Sequence, residues 1–220
     1  MSDYEVDVLG GIVSDPYQIG NTVAQGATPL QATRDGSLRI AEQRDTLGLF
    51  SKVYACNFGQ GTTFVTAKTT LTAAQPDFNL DIPNGTAIYL LGMNLVFGAM
   101  TGTANHFFVQ TGSGNVGNGT SSAATDPPTN MTRGVPFTSL CTARQAYSAN
   151  GTAPVNPLEI FAVEDPTAGT GSVPLSFQYV TPSLTPLIGP ASISGYGVST
   201  TTALTFKAIL VWAEVASDIV

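Results

Sequence analysis

Side chains that could catalyse a reaction are few and scattered in this sequence. The sole histidine, His106, begins the β-rich run 106–110. No Gly-x-Ser-x-Gly elbow or catalytic cysteine context accompanies it. A general base needs a nucleophile and an orienting acid within hydrogen-bond reach. We therefore expect His106 to be a polar residue at a strand end, and we expect no catalytic residues and no enzymatic activity.

Two pairs of carboxylates are close enough in sequence for joint chemistry. Asp77 and Asp81 precede a Pro-Asn-Gly turn, and Glu164 and Asp165 precede Pro166. Paired acids roughly 5 to 9.5 Å apart hydrolyse glycosidic bonds, and carboxylates with carbonyl oxygens bind Ca²⁺. Both pairs have the contexts of solvated loop acids, and no loop has EF-hand spacing. We therefore expect neither a hydrolase nor a metal site.

Two further patterns are better explained by structure than by chemistry. Cys56 and Cys141 are too far apart for a CxxC motif. A single bridge between them would need Cα atoms about 6 Å apart, and two buried thiols are the simpler interpretation. Residues 112–117 fit G-x-G-x-x-G, but Pro127 and Pro128 follow instead of a helix N-terminus that could hold a pyrophosphate. We expect a flexible loop there, and no cofactor.

Exposed aromatic residues would favour a sugar-binding surface, because Tyr and Trp rings stack on sugars. Most aromatic residues of this chain, including Trp212, fall in β-rich runs and are expected in the core. Tyr147 and Tyr196 have loop-like contexts. A contact between these two tyrosines and a host glycan therefore stays open as an alternative.

Charged residues make up only 10% of the 220 residues, against about 25% in an average domain. The 8 Lys and Arg and the 15 Asp and Glu give a net charge of −7 at pH 7. Such a chain repels phosphate backbones and anionic headgroups. We expect no nucleic-acid or membrane partner, and the acidic first twenty residues predict no signal peptide.

The elements that must position these residues are strands. From residue 50 onward, short β-rich runs alternate with turn residues. The runs are 50–56, 62–71, 86–97, 106–110, 158–163, 173–180 and 203–215. The last run is apolar on both faces toward its end, which predicts a central strand covered on both sides. The pattern predicts an all-β fold, with residues 46–220 forming an antiparallel, jelly-roll-like β-sandwich.

Residues 1–45 differ from the rest, because they carry ten of the twenty-three charged residues. We interpret them as an extended N-terminal arm with a short hairpin at Asp35-Gly36. Its first residues alternate between acidic and apolar, as an edge strand laid on a partner would. The residues expected to contact that partner are Asp3, Tyr4, Glu5, Val6, Asp7, Val8, Leu9, Ile12 and Val13.

The layout of the first half of the chain resembles that of small virion structural proteins of tailed bacteriophages. The segments that carry this resemblance are 23–28, 33–42, 50–72 and 88–97. Minor capsid, decoration and head-fibre proteins of that kind often join a capsid-docking arm to a trimerising β-sandwich. One departure concerns other viral coats, because RNA-packaging jelly rolls usually carry a basic arm and this arm is acidic.

The resemblance implies a non-enzymatic virion protein, made in the host cytoplasm, that cements capsid subunits. Its expected partners are further copies of itself, as a homotrimer or higher, and the major capsid protein or another virion protein. A receptor- or carbohydrate-binding head of a phage fibre and a main coat subunit remain as alternatives.

Overall fold

The computed structural model describes ten segments of the chain. They are 31–32, 38–39, 52–98, 105–117, 119–131, 138–149, 151–165, 175–179, 185–198 and 204–217. The chain divides into two compact units, Met1–Thr46 and Leu47–Val220. The nine arm residues expected to contact a partner lie outside the described segments.

In the first unit, the described residues form two short strands, β1 (Gln31–Ala32) and β2 (Leu38–Arg39). The two strands pair antiparallel, with Gln31 opposite Arg39. This pairing confirms the expected short hairpin, whose turn lies outside the described residues.

In the second unit, the described residues form thirteen strands, and none of them is in an α-helix. The strands are β3 (Val53–Phe58), β4 (Val65–Thr66), β5 (Phe78–Ile82), β6 (Thr86–Phe97), β7 (Asn105–Ser113), β8 (Thr120–Ala123), β9 (Asp126–Asn130), β10 (Thr142–Ala149), β11 (Val155–Asp165), β12 (Leu175–Tyr179), β13 (Leu187–Ile188), β14 (Ala191–Val198) and β15 (Thr205–Ala216).

These strands form two antiparallel sheets. Sheet I has six strands in the order β11-β7-β14-β5-β10-β8. Sheet II has seven, in the order β12-β6-β15-β3-β9, with β13 also pairing with β6 and β4 with β15. Together they make the antiparallel sandwich that the sequence predicts.

The strand order is that of a jelly roll. Eight of these strands form the two four-stranded parts of a jelly roll, β11-β7-β14-β5 in sheet I and β12-β6-β15-β3 in sheet II. The chain passes between the two sheets as in double Greek keys. Three further strands, β8, β9 and β10, lie between β7 and β11 in the sequence. They extend both sheets beyond β5 and β3. We call residues 114–154 the insertion.

Five phenylalanines join the sheets at the centre of the core. Phe58 of sheet II stacks on Phe78 of sheet I with ring centroids 4.7 Å apart, and Phe206 lies 4.9 Å from Phe107. Phe97 meets Phe107 edge to face at 5.2 Å. These rings point inward because alternate residues of a strand face the same side. Each such pair adds about 0.5–1.5 kcal/mol beyond the burial of its area.

Strand β15 takes the central place expected of the run 203–215, between β6 and β3. On its inner face Leu210 and Trp212 are fully buried. On its outer face Ile209 is 39% exposed. The expectation of cover on both sides is therefore right for the inner face and wrong at Ile209.

Residues 119–131, which lie outside the β-rich runs predicted from the sequence, contain two strands, β8 and β9. Pro127 and Pro128 lie within β9, although proline has no backbone N–H for a sheet ladder. In the described part of the chain β9 pairs only with β3, at the edge of sheet II. An edge strand tolerates proline, because one side of the strand needs no donors.

Candidate functional site

The expectation that Asp77 and Asp81 are solvated loop acids is wrong. Asp81 lies in β5, whose five residues are all buried, and is 6% exposed, while Asp77 just before the strand is 2% exposed. β5 lies between β14 and β10 in sheet I. Both carboxylates therefore lie inside the protein, where each needs hydrogen-bond donors.

Asp81 receives three such donors. Its Oδ1 accepts from Asn79 Nδ2 at 2.8 Å and from the Val116 backbone N–H at 2.8 Å, and its Oδ2 accepts from the Gly117 N–H at 2.9 Å. Burial raises the pKa of the Asp81 carboxyl, and these hydrogen bonds act in the opposite direction. The carboxylate thus fastens the first turn of the insertion to sheet I.

The G-x-G-x-x-G run does bind an oxyanion, but one of the protein's own. Gly114 and Gly117 have positive φ angles of 86° and 77°, which glycine adopts without strain. This conformation presents the Val116 and Gly117 N–H groups to Asp81. The donors that a phosphate-binding loop would offer to a nucleotide are therefore already used.

Asp77 fastens a second segment in the same way. Its Oδ1 accepts from the Lys68 backbone N–H at 3.0 Å and lies 3.3 Å from Lys68 Nζ, and its Oδ2 accepts from the Gly197 N–H at 2.6 Å. Burial is the largest influence on the pKa of this carboxyl and raises it. Asp77 therefore ties the end of β14 to the segment that precedes β5.

Tyr147 and Tyr196 are not on loops and are not exposed. Tyr147 lies in β10 and is 1% exposed, and Tyr196 lies in β14 and is 2% exposed. Their hydroxyls donate to the carbonyls of Gly117 and Ala73, and burial raises the pKa of Tyr147 to about 12. The proposed glycan contact at these residues is wrong, because neither ring has a free face for a sugar.

Further polar residues complete a layer on the outer face of sheet I. Ser194 donates to Asn79 Oδ1 at 2.8 Å, and both residues are fully buried. We call this set the polar layer: Asp77, Asn79, Asp81, Ser192, Ser194, Tyr147 and Tyr196. Sequence reasoning missed it, although the alternation of apolar and polar residues in 78–82 does signal a strand with two distinct faces.

A third buried acid, Glu214, also went unnoticed in the sequence. It is 5% exposed and accepts from Trp212 Nε1 at 2.9 Å, from the Leu140 N–H at 3.0 Å and from the Ser139 hydroxyl. Tyr54 donates nearby to the Thr138 carbonyl. Glu214 therefore holds residues 138–140 against sheet II. An acid two residues after a tryptophan in an apolar strand was the available signal.

His106 pairs with an acid at the surface. Its Nδ1 lies 3.6 Å from Glu164 Oε1, across the ladder between β7 and β11, and its ring meets Phe108 edge to face. The Glu164 side chain is 79% exposed, as a solvated acid should be. In the described part of the chain, neither residue has a hydroxyl or thiol hydrogen-bonded to it.

The two cysteines are free and buried. Burial raises the pKa of both thiols, so that neither forms the reactive thiolate at neutral pH. The interpretation of Cys56 and Cys141 as buried thiols is confirmed.

A polar groove of about 430 Å³ lies on sheet II, beside β3 and β9. Within its lining, Asn57 Nδ2 donates to Asp126 Oδ2 at 2.6 Å, between paired residues of the two strands. Its lining consists of Ala55, Asn57, Gln60, Asp126, Pro127, Thr129, Asn130 and Met131. The groove offers amides, a carboxylate and a hydroxyl beside aliphatic surface.

Large apolar side chains are exposed at several places on the surface. They are Leu71, Met131, Leu140, Val155, Leu158, Ile188 and Ile209. Two of them, Val155 and Leu158, belong to β11, an edge strand of sheet I. The described residues contain no group of three His, Cys, Asp or Glu that could hold a metal. They also contain no helix long and apolar enough to cross a membrane.

Comparison of the chain with protein-family models, curated proteins and solved structures finds no match. Any statement about function therefore depends on the fold, the buried groups and the surface described above.

Proposed function

We propose that this chain is a non-enzymatic virion structural protein, a decoration, cement or minor capsid component. It docks through its N-terminal arm, residues 1–45, and stabilises contacts between subunits. The main support is the jelly-roll order of the two sheets, an architecture of viral capsid and lectin domains. A main coat subunit is a variant of the same proposal, and the copy number per particle separates the two.

The buried acids support the non-enzymatic part of the proposal. Asp77, Asp81 and Glu214 each bind backbone N–H groups of the chain itself. A catalytic acid must instead reach a substrate proton, directly or through one water. The one histidine pairs with an exposed glutamate in place of a nucleophile. The three buried acids hold backbone segments in place, which is a structural role.

The surface supports the assembly part. Few charged side chains mean a small desolvation cost when a large flat area is buried. Apolar side chains such as Ile209 and Leu158 are exposed to contribute to such an area. Obligate interfaces bury about 2,000 Å² or more, and apolar area contributes roughly 25 cal/mol per Å², less the entropy of ordering the arm.

The test is the mass of the full-length chain in solution, measured by light scattering after size exclusion at two concentrations. The wild type should be a trimer or larger. Val6→Asp with Val8→Asp should lower the mass, because the apolar face of the arm is lost. Gln25→Asp with Thr28→Asp adds the same charge outside the contact residues and should leave the mass unchanged. A wild-type chain that is monomeric at both concentrations would contradict self-assembly.

A second candidate function is a carbohydrate-binding head, and the groove beside β3 and β9 favours it. Its volume of about 430 Å³ falls within the range of small-ligand sites. Asp126 and Asn57 together offer an acceptor and a donor to neighbouring sugar hydroxyls. Saturable glycan binding that is lost in Asp126→Asn and kept in Glu164→Gln would support this function over the first.

A further inference from the structure

Three buried polar atoms in the described part of the chain have no hydrogen-bond partner: Asn115 Oδ1, Arg144 Nε and Ser192 Oγ. Ser192 is completely buried. Buried polar atoms are nearly always paired in folded proteins, and internal water often supplies the missing partner. Three unpaired atoms in one region therefore point to a ligand that can both donate and accept.

All three atoms belong to residues around Asp81. Ser192 lies directly opposite Asp81 in the ladder between β14 and β5, so their Cβ atoms are about 4.5–5.5 Å apart. Asn115 precedes Val116, whose N–H binds Asp81. Arg144 lies opposite Asn79 in the ladder between β10 and β5, and Asn79 donates to Asp81. The unpaired atoms thus belong to residues that neighbour Asp81 or one of its hydrogen-bond partners.

The hydrogen bonds of Asp81 leave room for one more donor. A carboxylate oxygen has two lone-pair positions. Among the described residues, Oδ1 accepts two hydrogen bonds, from Asn79 and Val116, whereas Oδ2 accepts one, from Gly117. One acceptor position on Oδ2 therefore remains, on a carboxylate whose cross-strand neighbour is the unpaired Ser192 hydroxyl.

We propose that an ordered water molecule is bound between Asp81 Oδ2 and Ser192 Oγ. It donates one hydrogen to Oδ2 and accepts the hydrogen of the Ser192 hydroxyl. Its second hydrogen is donated to Asn115 Oδ1. The water thereby makes three hydrogen bonds, the usual number for an internal water. It joins β5, β14 and the start of the insertion.

A cation at this position is disfavoured, although the three oxygens are of the type that Ca²⁺ binds. The Asp81 charge is already met by three N–H donors and by Arg144. No second acid completes a ligand set, because the described residues contain no cluster of three acidic or metal-binding side chains. A second positive charge beside Arg144 would be repelled.

A high-resolution crystal structure of the full chain tests the proposal directly. The expected result is density for a water within hydrogen-bond distance of both Asp81 Oδ2 and Ser192 Oγ. A Ser192 hydroxyl that instead donates directly to Asp81, with no density between them, would overturn the proposal.

Thermal unfolding of Ser192→Ala gives an independent test. If the water is bound, removing its donor should lower the Tm by about 2–4 °C. If the hydroxyl is unpartnered, removing it should leave the Tm unchanged or raise it, and the proposal fails. Ser194→Ala, which loses a direct bond to Asn79, calibrates the size of such a loss.

A Ca²⁺ titration followed by EDTA distinguishes water from metal. The wild-type Tm should be the same in both. A Tm that rises with Ca²⁺ and falls again with EDTA, and that does neither in Ser192→Ala, would replace the water with a cation and refute the proposal.

Discussion

Outward-facing residues of the two sheets include some whose polarity and exposure do not match. On sheet I, the outward residues Asn79, Asp81 and Ser194 are polar, yet they are 0–6% exposed. On sheet II, the outward Ile209 is apolar, yet it is 39% exposed. Simple hydrophobic patterning predicts the reverse. Polar residues on the outer face of a sheet thus indicate solvent exposure only where no other segment of the chain covers them.

The cover on sheet I explains the inversion. The segment around Ala73 and the turn at Val116 lie over this face and bring backbone polar groups with them. Buried backbone N–H and C=O groups need partners. Carboxylates, amides and hydroxyls on the sheet supply those partners, whereas an apolar sheet face could not. The polar layer therefore holds the covering segments on sheet I through hydrogen bonds to their backbone groups.

The largest effect should come from removing the centre of that layer. Asp81→Ala removes the acceptor of the Val116 and Gly117 N–H groups and of Asn79 Nδ2. Breaking a buried charged network costs about 3–5 kcal/mol, so we expect a loss of about 4 kcal/mol in the free energy of unfolding, measured with urea.

Glu159→Ala is the matched control for that variant. Glu159 lies on the exposed strand β11, and a substitution there should change stability by less than about 0.5 kcal/mol. If Asp81→Ala costs no more than Glu159→Ala, the polar layer does not hold the insertion on sheet I.

Much of the architecture could be predicted from the sequence where apolar residues dominate a strand. The runs 86–97 and 203–215 correspond to β6 and β15, and the sandwich class followed from them. β5 and β14 were missed because Asp, Asn, Ser and Gly in them are typical of turns. These residues form strands because segments distant in sequence cover them, and the local sequence pattern carries no information about that cover.

The candidate site was less predictable for the same reason. Asp77 and Asp81 could be singled out as a pair, but their burial depends on contacts with Gly197 and with Val116. Tyr147 precedes Ser148, and Tyr196 follows Ser194 and Gly195. These small residues suggest loops, whereas the structure places both tyrosines in strands. The G-x-G-x-x-G pattern at 112–117 predicted only a loop without a cofactor, and it did not reveal that the Val116 and Gly117 N–H groups bind Asp81.

A second, smaller effect is the pH dependence that the polar layer imposes. Burial raises the pKa of Asp77 and of Asp81 above the ordinary value near 3.8. Between that value and the raised pKa, the folded state holds more protons than the unfolded state. Stability from these groups therefore falls as the pH rises through this window and recovers as the pH falls.

Asp77→Asn checks this sign, because the amide cannot titrate. Asp77 faces Lys68, whose charge lowers its pKa, and Tyr196. The free energy of unfolding of the wild type relative to Asp77→Asn should increase as the pH is lowered from about 7 toward about 4. A difference that shrinks on acidification would mean that the hydrogen bonds to the charged form outweigh its burial.

The smallest effect on stability should come from the opposite face. Ile209→Thr keeps a β-branched side chain on the outer face of sheet II, where the residue is already 39% exposed. The free energy of unfolding of the single chain should change by less than about 1 kcal/mol. Leu210→Ala, one residue further and fully buried, should cost about 2–5 kcal/mol.

The same Ile209→Thr variant also tests whether the outer face of sheet II takes part in assembly. If the outer face of sheet II is buried between subunits, the substitution should shift the mass measured by light scattering toward the monomer while the chain stays folded. Glu164→Gln, on the edge of sheet I, should not. An unchanged mass in Ile209→Thr would remove this face from the interface and leave the arm and the edges of the sheets to make it.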